Sequence, residues 1–429
     1  MPRSLRVHKS LIDDVKLAVP RHGYPRQKDL AEALNLSLTT VSNFLNGKPV
    51  DYLNFMEICA QLDLDWSDIA SFHNDGESDP FVPDASDFPA DSHTPYEEDL
   101  NHLIYIERPP IEHSCSEALL QAGALVRIKA PSLMGKSALL AHILPHLKEH
   151  GFQVASVNFH LAEATDFDTL DAFLRWFCIT VGQRLRQPNR LADVWDERFS
   201  TAKTNCTQYF EDYLLPKVGS PIVLCLDAVD RIFPYPKVAA EFLGLLRAWH
   251  EQAKISPIWR HLRLVVMHST EIYLQLNINE SPFNVGLAIE LPEFTREQVN
   301  ELADRHELSL NPAQIQQLFD LVGGHPYLVQ QAFSYLKDRS EASYDALLQT
   351  AATEAGIYRD HLQKHWSVFR KHPERIETLK ILVHSDVPIR LKPSQTYQLY
   401  SRGLVRLQGN DVMIRCHLYR EYFADQLSA

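Results

Sequence analysis

The run ALVRIKAPSLMGKSALLAHIL, residues 124–144, decides how this chain is read. Its first seven residues are β-rich, and its last seven place apolar side chains at helical spacing. Between them lies Ala130-Pro131-Ser132-Leu133-Met134-Gly135-Lys136-Ser137. Strand, turn and helix in that order match the pattern G-x-x-x-x-G-K-[ST] at every specified position but the first, where Ala130 stands for glycine. Pro131 biases Ala130 to extended backbone, so the strand is expected to run on before the loop turns. Such a loop wraps backbone N–H groups around a β-phosphate. Its lysine, Lys136, neutralises the β and γ oxygens, and its hydroxyl, Ser137, binds Mg²⁺. The expected ligand is therefore ATP with Mg²⁺.

Outward from the loop, FQVASVNFH (152–160), PIVLCLD (221–227), LRLVVMHST (262–270) and LAIELP (287–292) read as further strands separated by helical stretches. Crossovers of that length predict an α/β core, a parallel sheet with helices on both faces. PIVLCLD ends in Asp227, which would reach the Mg²⁺ shell through water. Asp230 is the nearby acid that could act in catalysis, and Ser269 and Thr270 end the next strand as candidate γ-phosphate sensors. Beyond about residue 295 the pattern turns helical. The last stretch ends with GLVRLQGNDVMIR (403–415), a hairpin about Gly409 and Asn410 that predicts a winged helix.

On the amino-terminal side, residues 71–101 hold four prolines, nine acidic residues and no Lys or Arg, which predicts a disordered acidic linker. Before it, QKDLAEALNLSLTTVSNFLN (27–46) reads as two short helices sharing one apolar face. Asn35 suits the left-handed turn and Ser37 caps the second helix. With Val41, Phe44 and Leu45 inward, Thr39, Thr40, Ser42 and Asn43 face outward, polar groups suited to base edges and phosphates. Gln27, Lys28 and Ser37 join them as candidate DNA contacts. Residues 1–50 carry eight basic and four acidic side chains, a local +4 in a chain whose net charge is −13. DNA contact must therefore be local to this head. No apolar run approaches the ~18 residues of a membrane span, and no signal-like stretch opens the chain, so a cytoplasmic location is expected. The six cysteines show no CxxC spacing, which argues against zinc or a disulfide framework.

Residues 8–70 resemble the Cro/C1 (xenobiotic-response-element) type of helix-turn-helix. From Tyr105 to Phe423 the chain resembles the bacterial AAA-like domain family of STAND-type P-loop NTPases, related to NB-ARC and NACHT switches. The matching pieces are YIERPP (105–110), IKAPSLMGKS (128–137), LCLDAVDRIF (224–233), VMHSTEIY (266–273), SPFNVGLAIELPEF (281–294), GGHPYLV (323–329) and GLVRLQGNDV (403–412). The resemblance implies an ATP-binding core to which Arg108 contributes. It also implies a helical subdomain whose GGHP turn brings Pro326 toward the nucleotide, and a winged helix that moves with nucleotide state. Two departures stand out. Ser132-Leu133 replaces the usual Arg-Gln, and Ala228 replaces the usual acid after Asp227. A methyl group is no base, and losing a general base costs ~10²–10⁴ in rate.

The expected organisation is a helix-turn-helix domain that is all-α (1–70), the linker (71–101), an ATP-binding core (102–294), a helical subdomain (295–371) and a winged helix (372–429). The expected function is a nucleotide-controlled transcriptional or signalling regulator that binds duplex DNA and self-associates under nucleotide control, with an unknown protein partner and no membrane. Two other functions fit the same inventory: an active ATPase remodelling a nucleic-acid complex, and a pseudo-ATPase scaffold whose head is a protein adaptor.

Overall fold

The computed structural model describes residues 4–7, 11–22, 24, 26–34, 36–48, 50–62, 64, 69–72, 104–269, 284–338, 344–370 and 372–428. The acidic linker, Asn35 and Thr270 therefore lie outside the described residues, apart from Ser71 and Phe72 at the linker's start. Two compact units divide the chain, Met1–Phe81 and Val82–Ala429.

In the first unit, helices α1 (Ile12–Arg21), α2 (Gln27–Ala33), α3 (Leu38–Leu45) and α4 (Tyr52–Gln61) surround a core that includes Leu30, Val41, Phe44, Phe55 and Ile58. The expectation of an all-α head is corrected by a small antiparallel sheet. Strand β1 (Ser4–Val7) lies between β2 (Val50–Asp51) and β3 (Ala70–Phe72). Leu5 and Val7 alternate into the core, a two-residue signal too short to stand out in the sequence. Strand β3 also carries the unit past residue 70. Ser37 caps α3, its Oγ accepting from Thr40 N–H at 3.0 Å, and Val41, Phe44 and Leu45 are buried.

The second unit is built on a five-stranded parallel sheet: β4 (Leu125–Lys129), β5 (Gln153–Asn158), β6 (Ile222–Asp227), β7 (Leu262–His268) and β8 (Leu287–Glu290). Their order across the sheet is β5-β6-β7-β4-β8. Alternation sends Leu224, Leu226, Leu264 and Val266 to one face, where they pack with Phe173, Phe177, Phe242 and Trp249. Those aromatics come from helices α7 (Leu170–Arg184) and α8 (Pro236–Ile255). Val223, Cys225, Val265 and Met267 go to the other face, beside α5 (Ile111–Leu120) and α6 (Lys136–Glu149). Two dry faces explain why these strands read as continuous apolar runs.

Ile106 and Phe294 join a third core, shared by helices between Arg296 and Phe369 and by apolar residues of the segment from Pro373 to Ser428. Of these, α9 (Arg296–Arg305), α10 (Pro312–Val322) and α11 (Pro326–Asp338) come first. Tyr358, Leu362, Leu404, Tyr419 and Phe423 belong to that one core, so the two carboxy-terminal segments pack as a single body. Strands β9 (Val405–Gln408) and β10 (Asp411–Ile414) pair as a hairpin, and Ile389 bridges to Val412.

Candidate phosphate-binding site

Ala130 N–H still donates to His268 O at 3.4 Å, so β4 runs on along β7 before the loop turns. Leu133 at φ +64 and Gly135 at φ +89 then bend the backbone through the left-handed region. Glycine is needed at 135 for a second reason: an added Cβ would lie 3.0 Å from an Arg108 guanidinium nitrogen. Gly135 caps α6, so the loop delivers Lys136 and Ser137 at the start of a fourteen-residue helix.

Lys136 is nearly buried, and its Nζ donates to Ala130 O (2.9 Å), Pro131 O (3.1 Å) and Ser269 Oγ (2.9 Å). Ser137 Oγ donates to Asp227 Oδ2 at 3.4 Å. The insertion of β7 between β4 and β6 creates this arrangement, since the ends of three strands meet around the loop. Burial pushes the Asp227 carboxyl up, while the Lys136 ammonium and the Ala228 N–H, 2.8 Å from Asp227 Oδ1, pull it back. Ala228 itself sits at φ +54 and opens the turn Val229–Ile232. Asp230 in that turn is buried, and its Oδ1 accepts from Ser269 N–H at 2.8 Å, which fixes the end of β7.

Arg108 closes the loop from behind. Its Nη1 donates to Met134 O (2.9 Å) and Pro292 O (3.4 Å), and its guanidinium lies over the Phe294 ring at 5.4 Å. Its Nε is buried with no hydrogen-bond partner. Pro326 begins α11, and the turn before it is tied to the segment after β8, where Phe294 N–H donates to Gly324 O at 2.8 Å. A Cβ at Gly324 would meet Phe294 O at 1.9 Å, so no other residue fits this approach.

Sequence reasoning missed two neighbours of the loop. Ser132 N–H donates to Ser401 O at 3.4 Å, and a Cβ at Gly403 would lie 3.4 Å from Pro131, so the turn before β9 abuts the loop. Glu293 accepts from Arg406 Nη2 at 2.8 Å and from the buried Arg415 Nη1, which clamps the β8 exit to the hairpin. Neither contact leaves a local signal, because each joins residues more than a hundred positions apart.

In the amino-terminal unit, Thr39 is exposed while Thr40, Ser42 and Asn43 are half-buried. The Ser37 and Thr40 hydroxyls bond each other at 2.8 Å, and Ser42 O and Oγ accept from Asn46 Nδ2. Gln27 and Lys28 are exposed at the start of α2. Leu38, half exposed beside Thr39, was not singled out by the sequence pattern.

A parallel sheet covered on both faces, with a glycine-turned loop delivering a lysine and a hydroxyl opposite a strand-end aspartate, defines the P-loop class of fold. Within it the chain belongs to the AAA-like domain family, whose model matches residues 95–425. Among solved structures, a Walker-type ATPase of Pyrococcus abyssi aligns with TM-score 0.53 at 16% identity, over 75% of this chain and 96% of that one. The ORC2 protein of Aeropyrum pernix, in ADPNP–ADP complexes, aligns with TM-score 0.46 at 13% identity over 77% and 96%. A STAND protein of Pyrococcus horikoshii with a tetratricopeptide repeat sensor aligns with TM-score 0.31 at 16% identity over 75% and 43%. No curated protein matches the sequence. Among the described residues, no helix is long and apolar enough to cross a membrane.

Proposed function

We propose that this chain is a STAND-like regulatory switch that binds Mg-ATP, turns it over weakly, and controls a DNA-binding helix-turn-helix head. The observation that carries the reading is the convergence of Lys136, Ser137, Asp227 and Ser269 at three strand ends beside a left-handed glycine loop. The donor set fits a triphosphate: N–H groups, an ammonium and the Arg108 guanidinium with its unpartnered Nε. Ser137 and Asp227 would hold Mg²⁺, the aspartate through water, and the metal would neutralise charge on the phosphates.

Weak turnover follows from Ala228, a methyl where an acid is expected to polarise the attacking water. In the head, Thr39 and Asn43 of α3, with Thr40 and Ser42 beside them and Gln27 and Lys28 at α2, are the proposed DNA contacts. Residues 372–429 act as a winged helix whose position depends on nucleotide, and self-association gathers several heads on repeated half-sites.

Ala228→Glu tests the site reading. Alanine already occupies the left-handed conformation at this position, so glutamate adds little backbone strain. Phosphate release should rise, by up to ~10²-fold or more. Rapid hydrolysis by the unmodified protein, unchanged by the added acid, would contradict the proposal and favour the remodelling ATPase.

A further inference from the structure

We infer that Phe199 is a docking knob for a second copy of this chain, whose own apolar groove at the start of α7 and α8 receives it. The inference rests on the self-association in the reading above and names the surface through which it runs. Phe199 is 89% exposed. A lone apolar side chain at a surface is ordinary, but this one stands on a fixed platform. Asp196 Oδ1 accepts from Arg198 N–H at 2.8 Å and from Phe199 N–H at 3.2 Å. The buried Asn205 locks Asp196 from the other side, its Oδ1 accepting from Asp196 N–H at 3.2 Å and its Nδ2 donating to Asp196 O at 2.9 Å. Trp195 Nε1 donates to Asp171 Oδ1 at 3.0 Å, while Arg175 lies over the Trp195 ring at 4.8 Å and pairs with Glu197 at 2.7 Å. The backbone under the ring is thus ordered in the single chain, which removes part of the entropic cost of docking.

The groove lies beside the knob. Helices α7 and α8 begin next to each other because Phe167 and Tyr235, just before them, stack with ring centroids 4.9 Å apart. Between their first turns is a groove of about 660 Å³, with Leu170, Pro236, Val238 and Ala240 as its apolar lining and Asp168 and Glu241 among its charged residues. That is room for a phenyl ring and its neighbours. Trp195, at the base of the knob, bonds Asp171, the residue after Leu170. Lys203, in the helix Ala202–Gln208 that follows the knob, donates from Nζ to Glu241 Oε2 at 2.6 Å. Knob and groove therefore share one stretch of surface, yet the exposure of Phe199 shows that it does not fill the groove of its own chain.

A projecting ring and an apolar groove on one surface complement each other across a twofold axis, so that each copy's Phe199 enters the other's groove and the contact closes as a dimer. Charge agrees with this pairing. Arg198, exposed beside the ring, meets the acidic Asp168 and Glu241 of the second copy. An aromatic anchor filling a preformed pocket is the kind of contact that dominates interface energies. The groove is also joined to the nucleotide site by one short segment, since the chain runs from Asp227 through the turn Val229–Ile232 to Pro236.

The test uses the full chain, with and without Mg-ATP. Sedimentation velocity over a concentration series should show a monomer–dimer equilibrium for the wild type. Its dissociation constant should rise ~30-fold or more in Phe199→Ser, which removes the knob, and in Ala240→Glu, which fills the groove. Melting temperatures check that both variants fold. A second readout locates the contact: with the photoreactive p-benzoylphenylalanine in place of Phe199, a mixture of isotope-labelled and unlabelled chains should cross-link between chains onto the peptide that holds Pro236 to Glu241 or the one that holds Asp168 to Leu170. Self-association that Phe199→Ser and Ala240→Glu leave unchanged, or cross-links between chains that reach neither peptide, overturns this interface while self-association stands. A wild type that stays monomeric at every concentration in both nucleotide conditions overturns the self-association reading, and this interface with it.

Discussion

Asp227 shows how the site holds charge at a cost to stability. Asp227 is half-buried, and desolvation there outweighs the opposing pull of Lys136 and the Ala228 N–H, so its pKa is raised. A carboxyl raised in the folded state stabilises the fold while protonated and loses that contribution as pH rises through its folded value. Once ionised, the group is thus a destabilising element, and the proposed Mg²⁺ role is what would retain it. Asp227→Asn should raise the melting temperature of the nucleotide-free protein at pH 7 while weakening Mg-dependent ATP binding. Scanning fluorimetry with and without Mg-ATP checks both signs, and a lowered melting temperature without nucleotide would contradict the account. The loop residues Gly135, Lys136 and Ser137 and the strand-end Asp227 were legible in the sequence because each belongs to one local pattern. The pairing of Asn158 with Asp227 was not, since it comes from the register of two strands about seventy residues apart.

At the scale of elements, the parallel sheet could be read from its apolar runs, but its strand order could not. Nothing in LRLVVMHST says that β7 inserts between β4 and β6, yet that insertion brings Ser269 to Lys136. The head's small sheet escaped for the opposite reason, its strands being only two to four residues long. The third core holds a feature with a measurable consequence. His325, His361 and His365 are buried together, with ring centroids 6.2 Å apart for the first pair and 4.6 Å for the second. His361 Nε2 pairs with Tyr419 Oη at 2.8 Å, and Arg402, Arg415 and Lys364 add positive charge around the cluster. Burial pushes all three imidazoles down, His361 to about 3. The unfolded chain therefore binds protons that the folded chain excludes. Stability is fullest above the ordinary imidazole value of about 6.5 and falls as pH drops below it, by about 1.4 kcal/mol per pH unit for each group. Urea denaturation of the protein at pH 7 and pH 5 should show this loss, and His361→Gln should remove about one proton from the slope. Equal stability at the two pH values would contradict the burial of these groups as neutral rings.

At the scale of the whole molecule, two compact units carry the two proposed activities, DNA contact in one and the nucleotide site in the other. A switch ligand must contact its two states differently, and the γ-phosphate, for which the paired Lys136 and Ser269 are the proposed contacts, is what ADP lacks. Light scattering and DNA affinity measured with ATP, ADP and no nucleotide should therefore give a larger mass and tighter binding with ATP. Identical values in all three states would remove the switch from the account. Nine acidic residues between positions 71 and 101 bear on the same measurement. Replacing them with Ser and Gln should tighten DNA binding at low salt, with the gain fading as exposed charges beyond ~8–10 Å are screened.

The central claim, that the loop around Gly135 binds Mg-ATP, is tested most directly by equilibrium dialysis of the purified full chain against Mg-ATP. Wild type should be compared with Lys136→Ala, which removes the ammonium now held by Ala130 O, Pro131 O and Ser269 Oγ. The account predicts one ATP per wild-type chain, and none retained by the variant although its far-ultraviolet circular dichroism is unchanged. Equal ATP binding by the two proteins, or none by a folded wild type, would contradict it.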